Sequence, residues 1–168
     1  PADDLDGSPV LSVDRLLGLK DLDVEYHGPY GASYWLWDDV RVHHGNVVRP
    51  KGGGTVTAML NNSTHSQIVG HIHRREHACK TIETSDGSKI IEAMSPGCLC
   101  RLDGAVPHAA GSSVLNWQQG LGVVHRKSDK VHMRLLPIVD NELVIHGEVF
   151  TGVDRISELK ESSGLPFD

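Results

Sequence analysis

Gln67-Ile68-Val69-Gly70-His71-Ile72-His73-Arg74 is the stretch on which the reading of this chain turns. Its apolar start reads as a buried strand, and Gly70 permits a sharp change of direction just before two histidines. Val40-Arg41-Val42-His43-His44-Gly45-Asn46 has the same arrangement: a β-like run, then histidine beside glycine. Side chains at the C-terminal ends of neighbouring strands converge on one crevice, where open α/β sheets bind their ligands. In an extended segment His71 and His73 share a face, whereas in a loop they can reach two metals a few ångströms apart. Neutral imidazole suits borderline cations such as Mn, Zn, Fe or Ni. A lone His-x-His pair also arises by chance on surfaces and in cores. Two strand-terminal sites in this order are more informative.

Working outward, the pattern predicts a mixed architecture. Ser12 to Leu19 reads as one or two helical turns with Ser12 able to cap. Ser33 to Trp37 and Val40 to His43 alternate like short strands joined across Asp38-Asp39. The flexible loop Pro50 to Gly54 precedes a helical face on Val56, Met59 and Leu60. From Ala78 the chain turns strongly β: 78–83 pairs with 89–94, and 121–125, 131–138 and 142–146 continue a meander. The expected fold class is α/β, with parallel or mixed strands first, an antiparallel β meander after them, and a break near residues 95–115. One domain is expected over 1–168, with a loose arm at 1–9 and a tail at 151–168 that could hold a short helix from Asp154 to Leu159.

With 168 residues and 39% hydrophobic content, the chain can bury a core. A net charge of -6 argues against a protein whose main task is gripping nucleic acid through phosphates. It does not exclude a phosphate-ester substrate, since bound metals can reverse a local potential. Cys79, Cys98 and Cys100 form no CxxC pair and read as reduced thiols of a cytosolic protein. No apolar run approaches the roughly 20 residues needed to span a bilayer, so no membrane association is expected. The first residue is Pro1, which suggests a chain processed, trimmed or excised from something longer.

Two motifs carry a resemblance. Val42-His43-His44-Gly45-Asn46 and Gly70-His71-Ile72-His73, with a loop and helix between them, resemble the C-terminal part of the calcineurin-like metallophosphoesterases. The likeness extends over about residues 10–150, through Arg74-Arg75-Glu76-His77, Ser95 to Arg101 and Asn116 to Gly120, which resemble stretches of phage and bacterial members. It implies a partial αββα-type sandwich in which His44 and His71 bind one divalent metal and His73 a second. His43 then plays a supporting part, and Asn46 stands where the family carries aspartate. Arg74 and Asn46 would contact the substrate phosphate, and a metal-activated hydroxide would attack phosphorus. The implied partners are a phosphate ester, nucleotide or nucleic acid, and the setting is a bacterial or phage-infected cytoplasm.

The family's upstream aspartate-x-histidine, glycine-aspartate-x-x-aspartate and glycine-asparagine-histidine motifs are absent, so the catalytic acidic residues are not in this chain. Without a bridging carboxylate two close cations repel. A missing N-terminal half, or a second copy, would complete the site. The alternative is a non-catalytic phage or bacterial module that binds one metal or none.

The remaining candidates have plainer readings. Lys51-Gly52-Gly53-Gly54-Thr55 could cradle a phosphate at a helix start but reads as a hinge. His65, His77 and His108 read as exposed or capping histidines. Trp35, Trp37 and Trp117 are expected in the core, with base stacking as the other use.

Overall fold

The computed structural model describes residues 12–103 and 116–152; the expected arm at 1–9, His108 and the Asp154–Leu159 helix lie outside them. The chain begins with α1 (Val13–Leu16), none of whose residues is buried. Ser12 occupies the N-cap position in an extended conformation but makes no side-chain cap bond, contrary to expectation.

A five-stranded mixed sheet follows, in the order β1-β2-β3-β5-β4. Its strands are β1 (Ser33–Leu36), β2 (Val40–His43), β3 (Ser66–Val69), β4 (Arg75–Thr84) and β5 (Gly87–Pro96). β1 and β2 are antiparallel in the register Leu36↔Val40. Their turn starts one residue earlier than expected, at Trp37, where Trp37 and Asp38 both take left-handed backbone (φ 55° and 61°). β2 runs parallel to β3, so the chain must cross over between them. The crossover carries α2 (Gly54–Asn61), close to the helix expected there.

The hairpin β4–β5 is longer at both ends than the sequence pattern suggested, and Thr84 pairs with Gly87 across the two-residue turn Ser85-Asp86. A second, antiparallel sheet contains β6 (Gly120–Lys127), β7 (Lys130–Val139), β8 (Glu142–Ile145) and β9 (Glu148–Thr151). β9 was not anticipated. Its turn uses left-handed His146 and Gly147, a pairing in which the histidine hides the usual turn signature.

The mixed sheet is packed on both faces. Its outer face meets α2 through Val56, Leu60, Val69, Ile91 and Ala93. Its inner face meets the second sheet through Val40, Met94 and Met133, with Leu36, Ile68, Val124, Val131 and Leu135 around them. Alternation on each strand follows the pleat: Ile68 and Met94 face one way, Val69 and Ala93 the other. The fold is therefore α/β, with mixed and antiparallel sheets and mostly strands.

Candidate functional site

Because β2 and β3 are parallel, their C-terminal ends lie side by side, and the segments that leave them form one rim. Gly70 N donates to His43 O at 3.2 Å, carrying the strand pairing one step past β3. Gly45 then turns the chain at φ +81°; a Cβ there would sit 2.5 Å from Val69 Cγ2, so only glycine fits. The Tyr30 hydroxyl donates to Gly45 O at 2.8 Å, and its ring lies 4.9 Å from that of His44.

On the β3 side the chain folds into a tight turn, with Ile72 N donating to Gly70 O at 2.7 Å. His71 and His73 both adopt left-handed backbone, φ 65° and 55°. For residues with a Cβ this costs on the order of 1–2 kcal/mol each. Ile72 between them is 3% exposed and pins the turn to the body. The two histidines therefore sit in a turn rather than on an extended segment.

The consequence is a close pair of imidazoles. His44 Nε2 lies 3.2 Å from His71 Nδ1, and the ring centroids are 5.1 Å apart at 67°. At this distance one ring donates its N–H to the lone pair of the other, which gives the two rings opposite tautomer roles. Burial, and then the neighbouring His71, hold His44 below its ordinary pKa, favouring the neutral, metal-binding form. His43 does not join the rim. Its Nε2 is 3.2 Å from Gln67 Oε1 on the outer sheet face.

His73 has an aromatic neighbour. Its ring meets the Trp117 ring edge-on, with centroids 4.0 Å apart at 79°. Gln118 N donates to His73 O at 3.0 Å, Arg75 N donates to Gln118 Oε1 at 3.2 Å, and Cys98 N donates to Gln118 O at 3.0 Å. The segments around 73–75, 95–101 and 116–120, far apart in sequence, thus meet behind the rim. Among the described residues no three His, Cys, Asp or Glu side chains converge as a metal-holding group. Of the expected trio, His44 and His71 lie together at the rim, and His73 packs on Trp117.

The two substrate-binding candidates separate as well. Asn46 is exposed beyond the rim. Arg74 is interior, 6% exposed, and its polar atoms are engaged within the chain. Its Nε donates to Glu76 Oε1 at 3.0 Å, and its terminal nitrogens reach Arg49 O at 2.6 Å and Pro50 O at 3.4 Å. Glu76, 4% exposed, accepts from Thr55 N at 3.2 Å and Val56 N at 3.3 Å. An internal carboxylate thus occupies the anion position at the α2 N-terminus, directly after the glycine loop.

Other histidines and tryptophans redistribute. His77 Nε2 lies 2.7 Å from Glu92 Oε2 on the face of β4–β5 that carries Met94. His65 packs against Trp35, with centroids 4.7 Å apart. Trp35 and Trp37 are 41% and 43% exposed, which overturns the expectation that they fill the core. Periodicity placed them on a strand, but nothing in the pattern disclosed that the strand is an edge.

A wide cleft of about 760 Å³ lies at the opposite end of the sheet from the rim, lined by Asp39, Lys89, Glu92 and Arg126 among others. Asp39 pairs there with Lys89 and Arg126, each at 3.4 Å. Its charges are of both signs and largely answered within the chain. The chemistry of the rim has no counterpart there.

No helix among the described residues is long and apolar enough to cross a membrane. No family model matches the chain, and no solved structure matches it. The gene 54 protein of Mycobacterium phage D29 is 28% identical over 115 residues, which cover 68% of this chain and 44% of that protein. The chain is similar to less than half the length of this phage relative.

Proposed function

We propose that the His44–His71 rim is a divalent-metal seat of a metal-dependent phosphoesterase, for which this chain supplies the histidine-rich half. The observation that carries this reading is the 3.2 Å separation of His44 Nε2 and His71 Nδ1. Two nitrogens bound tetrahedrally at roughly 2.0–2.1 Å stand about 3.3 Å apart, so the pair matches one edge of such a shell. Mn, Zn, Fe or Ni fits the donor type. Bound there, the cation would supply Lewis-acid neutralisation of charge on a phosphoryl oxygen.

The chain's own contribution is positional. Gly45 and the left-handed turn at 71–73 hold the two rings at a common edge, and the Tyr30 ring shields one side of His44. The remaining ligands and the acidic residues would come from further polypeptide, in keeping with a relative more than twice as long as its matched region. The finer fold reading, a partial metallophosphoesterase sandwich, is supported by the layering of α2, mixed sheet and second sheet. The phage relative supports a setting in an infected bacterial cell.

A second reading, a non-catalytic phage module with one metal or none, is favoured by one observation: Asn46 stands where the resembled family carries aspartate. Calorimetric titration with Zn²⁺ and Mn²⁺ tests the seat directly. The proposal expects one ion per chain, with His44→Ala and His71→Ala each weakening binding at least about 10-fold. Hydrolysis of bis-p-nitrophenyl phosphate with added Mn²⁺, by the full gene product, tests the activity. Binding unchanged in both variants sinks the metal seat. An inactive full product that still loads the ion through these residues leaves the non-catalytic module.

A further inference from the structure

α2 lies over β3, β5 and β4, and the β1–β2 half of the same outer face is left bare by the described elements. That bare half has an unusual composition. Trp35 stands opposite Arg41 in the β1–β2 register, and Arg41 stands beside Gln67 in the β2–β3 register. One row of the sheet therefore presents an indole and a guanidinium on strands about 4.8 Å apart, with the Gln67 amide buried beside them at 6% exposure. One pleat toward the rim, His43 meets Gln67; one pleat away from it, His65 leans on Trp35 at 4.7 Å.

The electrostatics of this stripe are one-sided. Arg41 Nε donates to the neutral Ser33 Oγ at 2.9 Å. Among the described residues no carboxylate makes an ion pair with Arg41, and Asp39, two positions earlier, is held by Lys89 and Arg126. An arginine on an open sheet face with a neutral partner keeps donors available for a phosphate. Trp35 at 41% exposure offers an aromatic face beside it. From the row of His65 to His44 is about five residues of strand, roughly 16 Å at 3.3 Å per residue. That is longer than a single phosphate ester and leads straight to the imidazole pair.

We propose that this bare half-sheet is a track for single-stranded nucleic acid, with a base stacked on Trp35, a neighbouring phosphate on Arg41, and the strand running toward the His44–His71 rim. The overall charge of -6 confines the attraction to this stripe and makes it weak and salt-sensitive. A flat aromatic beside a phosphate donor suits an unpaired base, which a duplex keeps buried in its stack. The fate of the strand at the rim rests on the phosphoesterase reading; its binding on the track does not.

The test is fluorescence anisotropy of a labelled hexathymidylate with the whole chain, at low salt and in a chelator. The track expects saturable binding that Trp35→Ala weakens by about 5-fold or more. Trp35→Phe should retain most of the affinity. Arg41→Ala should weaken binding and lower the slope of log affinity against log salt by about 1. In the same buffer His44→Ala and His71→Ala should leave binding within about twofold, while abolishing metal uptake in the separate titration. Metal uptake without oligonucleotide binding overturns the track and spares the rim; the reverse spares the track. Equal affinity for a duplex or for hexaglutamate, indifferent to Trp35 and Arg41, also overturns it.

Discussion

The two halves of the mixed sheet's outer face come from one piece of β-structure and have opposite surroundings. Over β3, β5 and β4, α2 seals Val69, Ile91 and Ala93, and a buried Arg74–Glu76 pair fastens the helix start. Over β1 and β2 no described element lies, and the residues that point outward are Trp35, Arg41 and His43. The first half is where stability resides; the second carries the chemically versatile side chains at little structural cost. Packed core and exposed side chains are separated here by a few strands, within one sheet.

The strongest way to break that contrast is Glu76→Ala. It strips Arg74 of its partner and uncovers two helix-start N–H groups in a site 4% exposed. We expect a loss of about 3–5 kcal/mol in urea unfolding. The double variant Arg74→Met/Glu76→Leu should cost less than Glu76→Ala alone, because no charge is stranded.

Next in size, Ile91→Ala in the covered half should cost about 2–4 kcal/mol. Trp35→Ala in the bare half should cost less than about 1 kcal/mol despite the larger truncation, since much of the ring already faces solvent. Similar losses from the two variants would mean that the halves do not differ as described.

Gly45→Ala lies at the boundary. It combines a left-handed φ with a Cβ clash on Val69, and should cost about 1–3 kcal/mol. It should also reduce Zn²⁺ binding, whereas His71→Gly should lose the ion and leave the fold unharmed or slightly stabilised, because glycine relieves the strain at φ 65°.

The smallest effect is in pH. Burial first, then Arg41 and Lys89, hold His65 below its ordinary value of 6.5. The folded chain then binds fewer protons than the unfolded chain between those two values. The stability linked to His65 is therefore complete above pH 6.5 and is lost as pH falls through the lowered value. His65→Gln should flatten the slope of melting temperature against pH in that window. A steeper slope would show that His65 has a partner favouring its charged form.

Much of this was legible in the sequence for identifiable reasons. The strands at 33–36, 40–43 and 66–69 and the helix from Gly54 announced themselves by alternation, short apolar runs and glycines before a helical face. The adjacency of His44 and His71 followed from their places at strand ends. What the pattern did not reveal was what lay opposite each residue. Arg74 beside a histidine motif suggested a phosphate contact, but Glu76, two positions on along the edge strand, claims it. His73 was grouped with His71 by spacing, and its ring contact with Trp117, 44 positions further along the chain, was not legible there. The exposure of Trp35 depends on β1 being an edge, which strand order decides and local pattern does not.

The Arg74–Glu76 clasp has a consequence for how such a chain could diversify. It grips the crossover mainly through main-chain atoms: the carbonyls of Arg49 and Pro50 on one side, the amides of Thr55 and Val56 on the other. Backbone atoms are the same whatever side chain follows. Residues 46–53 can therefore drift in sequence, or accept an insertion at their exposed tip, while the two imidazoles keep their spacing. The segment nearest the rim is thus the one most open to acquiring new specificity.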